Sequence, residues 1–145
     1  MIQFQTDRMI AKTEMILQSK KLMYMVRSFD ETAFLKDDRP DTSMDDCFWF
    51  YDADNGNKIC CIMILWKRNR FEVSYNTLEP YRNQGYMTEA LKSLCKWLFD
   101  NTDQDVIFAL PNGLCKEASI RILEKCNFIP SGVENELVWY ELRKG

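Results

Sequence analysis

Histidine is absent from this 145-residue sequence, and with it the commonest protein ligand for zinc. A metal site would need several thiols or carboxylates to converge. The six cysteines, Cys47, Cys60, Cys61, Cys95, Cys115 and Cys126, include no Cys-x-x-Cys spacing, so no metal is expected. Adjacent Cys60 and Cys61 would point to opposite faces of a strand, and free, mostly buried thiols in a reducing cytoplasm are the expected state. Long apolar runs are missing as well. The longest, Ile59 to Trp66, is far too short to span a membrane and reads as a strand. No early segment joins a basic start, an apolar core and a small-residue cleavage site, so no secretory signal is expected and the chain is read as cytoplasmic. Basic charge is not in excess either. A formal charge of -3 and a pI near 5.1 argue against nucleic-acid binding as the main task, because phosphate neutralisation needs a basic face.

What is present suits one domain over residues 1–145. Its 46% hydrophobic and 28% charged residues are ordinary globular usage, and the length is enough to bury a core. No repeat, low-complexity tract or linker divides it. Residues 8 to 29 carry Met9, Ile16 and Met23 at seven-residue intervals, which favours helix, although Leu22, Tyr24 and Val26 alternate as a strand would. Residues 30 to 46 read as a short helix and a polar loop. Phe48 to Tyr51 and Lys58 to Trp66 flank Asn55-Gly56, a strong hairpin signal. Further strands near 71–78, 106–110, 128–133 and 137–142 bring the sheet to about six.

The richest segment is Glu79-Pro80-Tyr81-Arg82-Asn83-Gln84-Gly85-Tyr86-Met87-Thr88-Glu89-Ala90. Pro80 cannot continue a strand ladder, so the preceding strand stops near Leu78. After Gly85, Met87, Leu91, Leu94, Cys95 and Leu98 recur at helical spacing, which predicts a helix to about Asp100. A helix N-terminus leaves backbone N–H groups unpaired and partly positive, and a glycine lets a ligand approach them, so this turn suits a phosphate, with Arg82 adding a guanidinium. Farther on, Leu114, Ala118, Ile122 and Cys126 recur every four residues. They predict a second amphipathic helix, with Asn127 at its left-handed end.

Arg82-x-x-Gly85-x-Met87 resembles the acyl-CoA pyrophosphate loop of the GNAT N-acetyltransferases, written Gln/Arg-x-x-Gly-x-Gly/Ala. The run Leu78 to Ala90 looks most like the ribosomal-protein N-acetyltransferase branch. Lys116 to Phe128 is similar to the family's Asn-x-x-Ser helix ending in Glu-Lys-x-Gly-Phe, here with Lys116 for Asn and Asn127 for Gly. The two lie in the family's order, with one further strand between them. The resemblance implies a mixed, mostly antiparallel α/β (α+β) sheet of about six to seven strands with about four helices, its central strands splayed to admit the pantetheine arm.

It also implies transfer of an acyl group, most plausibly acetyl, from acetyl-CoA to a primary amine of a small molecule or a protein N-terminus. The expected coenzyme A contacts are Asn76, Thr77, Leu78, Arg82, Asn83, Gln84, Gly85, Tyr86, Met87, Thr88 and Lys116. An ammonium is no nucleophile, so a base must take its proton, and Glu72 is the first candidate, acting through a water. Its alternative is a solvent-facing strand residue. Ser119 aligns with a serine near the acyl-carrier sulfur, with Tyr75 and Tyr86 as nearby phenols; its alternative is a helix serine bonded to the preceding turn. A backbone N–H near Asn76 or Thr77 would polarise the thioester carbonyl. Leu123, where the family often has a tyrosine acid, has no proton to give.

Two other readings stand beside this. One is an inactive coenzyme A binder of the same fold, motivated by Lys116, Leu123, Asn127 and the missing histidine. The other is an interaction module using Trp49, Trp66 and Trp139. The expected partners are acyl-CoA and an amine, with no membrane and no nucleic acid, in a monomer or homodimer. By the resemblance, Asp37, Asp38, Asp41, Asp45 and Asp46 would lie on the acceptor side and attract a cationic amine; their alternative is a solvated loop.

Overall fold

Asn55 and Gly56 sit in the turn that joins two long strands, Asp46–Asp52 and Lys58–Lys67. Gly56 takes φ 76°, which an L side chain resists, and the Asp52 carboxylate accepts the N–H groups of Asp54 and Asn55 at 2.8 and 3.2 Å. The turn therefore forms from its own residues. The computed structural model describes residues 3–13, 46–67 and 70–145. In chain order their strands are β1 (Gln3–Gln5), β2 (Met9–Thr13), β3 (Asp46–Asp52), β4 (Lys58–Lys67), β5 (Arg70–Thr77), β6 (Val106–Ala109), β7 (Ile129–Glu134) and β8 (Leu137–Arg143). The helices are α1 (Tyr86–Asn101) and α2 (Lys116–Lys125), with a 3-10 turn at Glu79–Tyr81.

One sheet runs in the order β1-β2-β3-β4-β5-β6-β8-β7. Every pairing is antiparallel except β5 with β6. That exception follows from connectivity: α1 lies between the two strands, and a crossover helix returns the chain in the same direction. Alternation divides β5 cleanly. Phe71 and Val73 are buried in the core, while Glu72, Ser74 and Asn76 lie on the opposite face.

Helix α1 closes the core face. Met87, Ala90, Leu91, Leu94, Cys95 and Leu98 are buried at three- and four-residue spacing, against Phe48, Phe50, Ile62, Phe71 and Ile107 from the sheet. Phe4 of β1 stacks on Trp97 of α1 with centroids 5.9 Å apart, so the first strand is tied to the helix as well as to β2.

Several expectations are corrected. The sheet has eight strands rather than six to seven, because β1 and β2 precede the hairpin. Met9–Thr13 is a strand, not the start of a helix: its burial alternates residue by residue, so Met9 belongs to a period of two with Ala11 and Thr13. Residues 14–45, and with them the rest of that expected helix, the strand alternative at 20–28 and the acidic loop up to Asp45, lie outside the described residues. Two α-helices stand among the described residues against the four expected. Cys60, Cys95 and Cys126 are buried and Cys47 and Cys61 half-buried, but Cys115 is exposed because it precedes the first turn of α2 at the surface.

Leu91 is fully buried between α1 and the sheet. Leu91→Ala is expected to lower unfolding stability by about 2–5 kcal/mol in a denaturant titration, the range for deleting a core leucine. A loss under ~1 kcal/mol would mean that α1 is not packed there.

Candidate active site

Parallel strands β5 and β6 pair at only two positions, Phe71 with Ile107 and Glu72 with Phe108. Beyond them β5 continues to Thr77, whereas β6 ends at Ala109 and the chain turns away through Pro111. The strands diverge, and a cleft of about 360 Å³ opens between them. Leu65, Glu72, Tyr75, Cys115, Ser119 and Leu123 are among its lining residues. Glu72 stands at the apex, where pairing stops.

The Leu78 N–H donates to Ile59 O at 2.9 Å, toward β4. Strand alternation then directs the N–H groups of Asn76 and Ser74 toward β4 and those of Val73, Tyr75 and Thr77 to the open edge. Of the two backbone donors considered for the thioester carbonyl, Thr77 points to the open edge of β5 and Asn76 points to β4, and neither is among the residues lining the cleft.

Side chains at the apex are charged and close. The Glu72 side chain is 13% exposed, and Arg70 Nε lies 3.4 Å from its Oε1. The Arg70 guanidinium sits over the rings of Phe108 and Trp139, at 4.1 and 4.3 Å from their centroids. One strand farther, Glu141 is opposite Phe108. Arg143 Nε comes within 2.8 Å of a buried Glu141 oxygen that has no aligned hydrogen bond, so charge alone joins them. On the same face, the Cys61 thiol is pulled down to about 7 by its hydrogen bond with Cys47, against partial burial, with help from the Asn76 backbone and Lys58.

On the core side the Tyr75 hydroxyl donates to the carbonyl of Ser119 at 2.9 Å. Burial, above all, pushes this phenol well up, so it stays protonated through the physiological range. The bond also fixes how α2 meets β5, which brings Ser119 to the cleft wall opposite Glu72. Leu123, one turn on, is fully buried at the cleft floor. Asn127 adopts φ 69°, the left-handed helix end its place suggests. Lys116 is exposed at the start of α2 and is not among the residues lining the cleft.

The loop at the end of β5 is set by local bonds. Arg82 Nε donates to Thr77 O at 3.0 Å and Gln84 Nε2 to Pro80 O at 3.0 Å. Asn83 and Gly85 take φ 62° and 79°, and Gly85 is the residue before α1. Asn83, Gln84 and Gly85 are exposed, whereas the Met87 side chain is buried in the core, so its size is spent there. Thr88 accepts a contact from Cys126 Sγ at 3.6 Å, joining α1 to α2. Tyr86 packs edge-on against Tyr81 and is not a cleft residue.

The reading of the sequence missed the brace behind this loop. Arg8, between β1 and β2, donates from Nε to Glu89 Oε1 at 2.7 Å, from its backbone N to Oε2 at 2.9 Å, and from Nη1 to Gln84 O at 3.2 Å. Its guanidinium lies 4.0 Å above the Tyr86 ring, and Thr6 also donates to Glu89. No local signal marks Arg8, since Glu89 is 81 residues away. The apex residues Arg70, Phe108, Trp139 and Glu141 were missed for the same reason.

Burial opposes ionisation of Glu89, but the Thr6 hydroxyl and both Arg8 donors outweigh it and hold the carboxyl below its usual range. A lowered acid stabilises the fold when ionised, and that stability is lost as pH falls through its folded-state pKa. Glu89→Gln is therefore expected to cost about 1–2 kcal/mol at neutral pH, discounted for the half-exposed arginine. The gap between wild type and variant should close as pH drops below the carboxylate range. A gap independent of pH in thermal melts would rule out the charge as its source.

Residues 4–129 match the family described as acetyltransferase (GNAT) domain. No curated protein matches the chain. Among solved structures, an acetyltransferase from Agrobacterium tumefaciens aligns at TM-score 0.71 and 14% identity, over 99% of this chain and 95% of the other. Mutant forms of a spermidine/spermine N-acetyltransferase from Vibrio cholerae align at TM-score 0.58 and 12% identity, over 69% and 67%. An α-N-protein acetyltransferase of ribosomal L7/L12, in complex with coenzyme A, aligns at TM-score 0.59 and 13% identity, over 70% and 63%. These likenesses show a shared fold and single out no branch, so the ribosomal-protein branch is one neighbour among several. The family match covers most of the sequence, and the chain belongs to the GNAT acetyltransferase family.

Proposed function

We propose that the protein transfers an acetyl group from acetyl-CoA to a primary amine. The observation that carries this is the two-residue pairing of β5 and β6, which leaves an open strand edge leading from the Arg82–Thr88 loop to Glu72. The pyrophosphate would rest on the backbone N–H groups at the start of α1, with Arg82 beside it. The backbone of Asn76, Thr77, Leu78, Asn83, Gln84, Gly85, Tyr86, Met87 and Thr88 would supply the rest of that path, the Met87 side chain staying in the core, and Lys116 would reach it only from outside the cleft. The pantetheine arm would follow the free N–H groups of Thr77 and Tyr75.

At the apex Glu72 takes a proton from the ammonium through a water, and the neutral amine attacks the thioester carbon. The C–N bond forms, the C–S bond breaks, the nitrogen sheds its second proton to water, and the thiolate takes a proton from water with the Ser119 or Tyr75 hydroxyl beside it to hold the charge. The carbonyl oxygen is held meanwhile by a backbone N–H at the cleft edge. Fold neighbours named for polyamines and for a ribosomal protein differ in acceptor, so the fold supports the reaction without choosing the amine.

Acetyl-CoA should raise the melting temperature, since it binds only the native state. Gly85→Val, which forces a β-branched residue to φ 79°, should abolish that shift while the protein still melts cooperatively. Normal binding by the variant would show that the phosphate loop is elsewhere.

Glu72→Gln should keep the acetyl-CoA shift but lower turnover by roughly 10². Its rising pH limb should move toward the free amine's own pKa. Ser119→Ala should cost less, because water replaces a hydroxyl. An unchanged rate and profile in Glu72→Gln would leave positioning as the whole mechanism and Glu72 only as the partner of Arg70.

A further inference from the structure

General base catalysis does not call for a cation beside the base, yet Arg70 stands two residues before Glu72 on the same face of β5. Its guanidinium lies against the rings of Phe108 and Trp139, which meet each other edge-on at 6.3 Å, and its Nε points at Glu72. The guanidinium is thereby held rigid. Among the described residues nothing accepts from its two terminal nitrogens, and its side chain is 24% exposed. Glu141, the next carboxylate on this face, is turned to Arg143 instead. An acceptor whose amine lies at Glu72 therefore meets, immediately beside it, a pair of N–H donors that no described residue engages.

We propose that the acceptor carries a carboxylate adjacent to its reactive amine, as an α-amino acid does, and that Arg70 selects it. This rests on the acetyl-transfer reading above. Arg70 Nε and Glu72 Oε1 lie 3.4 Å apart, so the two side chains are near enough to meet the two charges of a zwitterion, whose ammonium nitrogen and carboxylate carbon are separated by two bonds. The ammonium faces Glu72 across the relaying water, and the carboxylate takes the terminal nitrogens of Arg70 in a two-bond fork. A polyamine would bring a second positive charge toward Arg70, and an amide would offer only one neutral acceptor. Loss of the ammonium proton to Glu72 leaves the carboxylate in place, so the anchor holds while the C–N bond forms.

The test is steady-state acetyl transfer, with products weighed by mass spectrometry, to a set of α-amino acids, to the α-amide of each, and to a diamine of similar length. The free acids should exceed their amides in kcat/KM by about 10–100-fold, mainly through KM, as expected for charge-assisted bonds. In Arg70→Gln that ratio should collapse toward one, and Arg70→Lys should restore part of it as a point charge. Amides or the diamine used as well as the acids by wild type would overturn the proposal, whatever the variant's folding. So would an unchanged ratio in Arg70→Gln, which would leave Arg70 only a brace for Glu72. Efficient, Glu72-dependent transfer to a diamine would sink this inference alone and leave acetyl transfer standing. An acetyl-CoA melting shift without transfer to any amine would overturn both.

Discussion

The parting of β5 from β6 is the constraint on which the rest of the site depends. Two parallel strands that stay paired have no free backbone between them, and here pairing stops after Phe71–Ile107 and Glu72–Phe108. Among the described residues no strand pairs with β5 on that edge beyond Glu72. Backbone N–H groups are costly to bury unpaired, so an edge of this kind is kept where a ligand completes it. The turn of the chain at Pro111 and the docking of α2 through the Tyr75–Ser119 bond hold the cleft open.

Strand alternation then assigns the chemistry. Phe71 and Val73 anchor β5 in the core, Glu72 and Arg70 project on the opposite face, and the backbone between them lines the cleft. One strand thus separates the proposed base, the open backbone edge and the packing that positions both. Phe108 and Trp139 extend the apex across β6 and β8, which turns a flexible arginine into a fixed one.

A second tie crosses almost the whole described chain. Arg8 and Thr6 grip Glu89 and Gln84 from the far edge of the sheet, although β1 and α1 are distant in sequence. The grip falls on the first turn of α1, whose N–H groups have no side-chain cap. A negative residue there suits the helix dipole, and Arg8 keeps it from wandering into the loop's outer face. The loop is therefore shaped from behind by charge and from within by the left-handed residues Asn83 and Gly85.

What the sequence by itself determined is local. Asn55-Gly56 specified the hairpin, Pro80 the end of β5, the three- and four-residue spacing after Gly85 the helix, and Asn127 the end of α2, because each acts through its own φ or the period of its own element. The motif segment and the order of elements around it also pointed to the family, and Glu72 and Ser119 do line one cleft. Residues 9–13 misled for a related reason: a few apolar residues fit periods of two and of seven alike, and only pairing with β3 resolves them. Tertiary structure alone decided the rest. Which backbone N–H groups stay open, how Arg70 is held, and which residue braces the Arg82–Thr88 loop all depend on atoms brought together from separate strands, and no spacing along the chain records that.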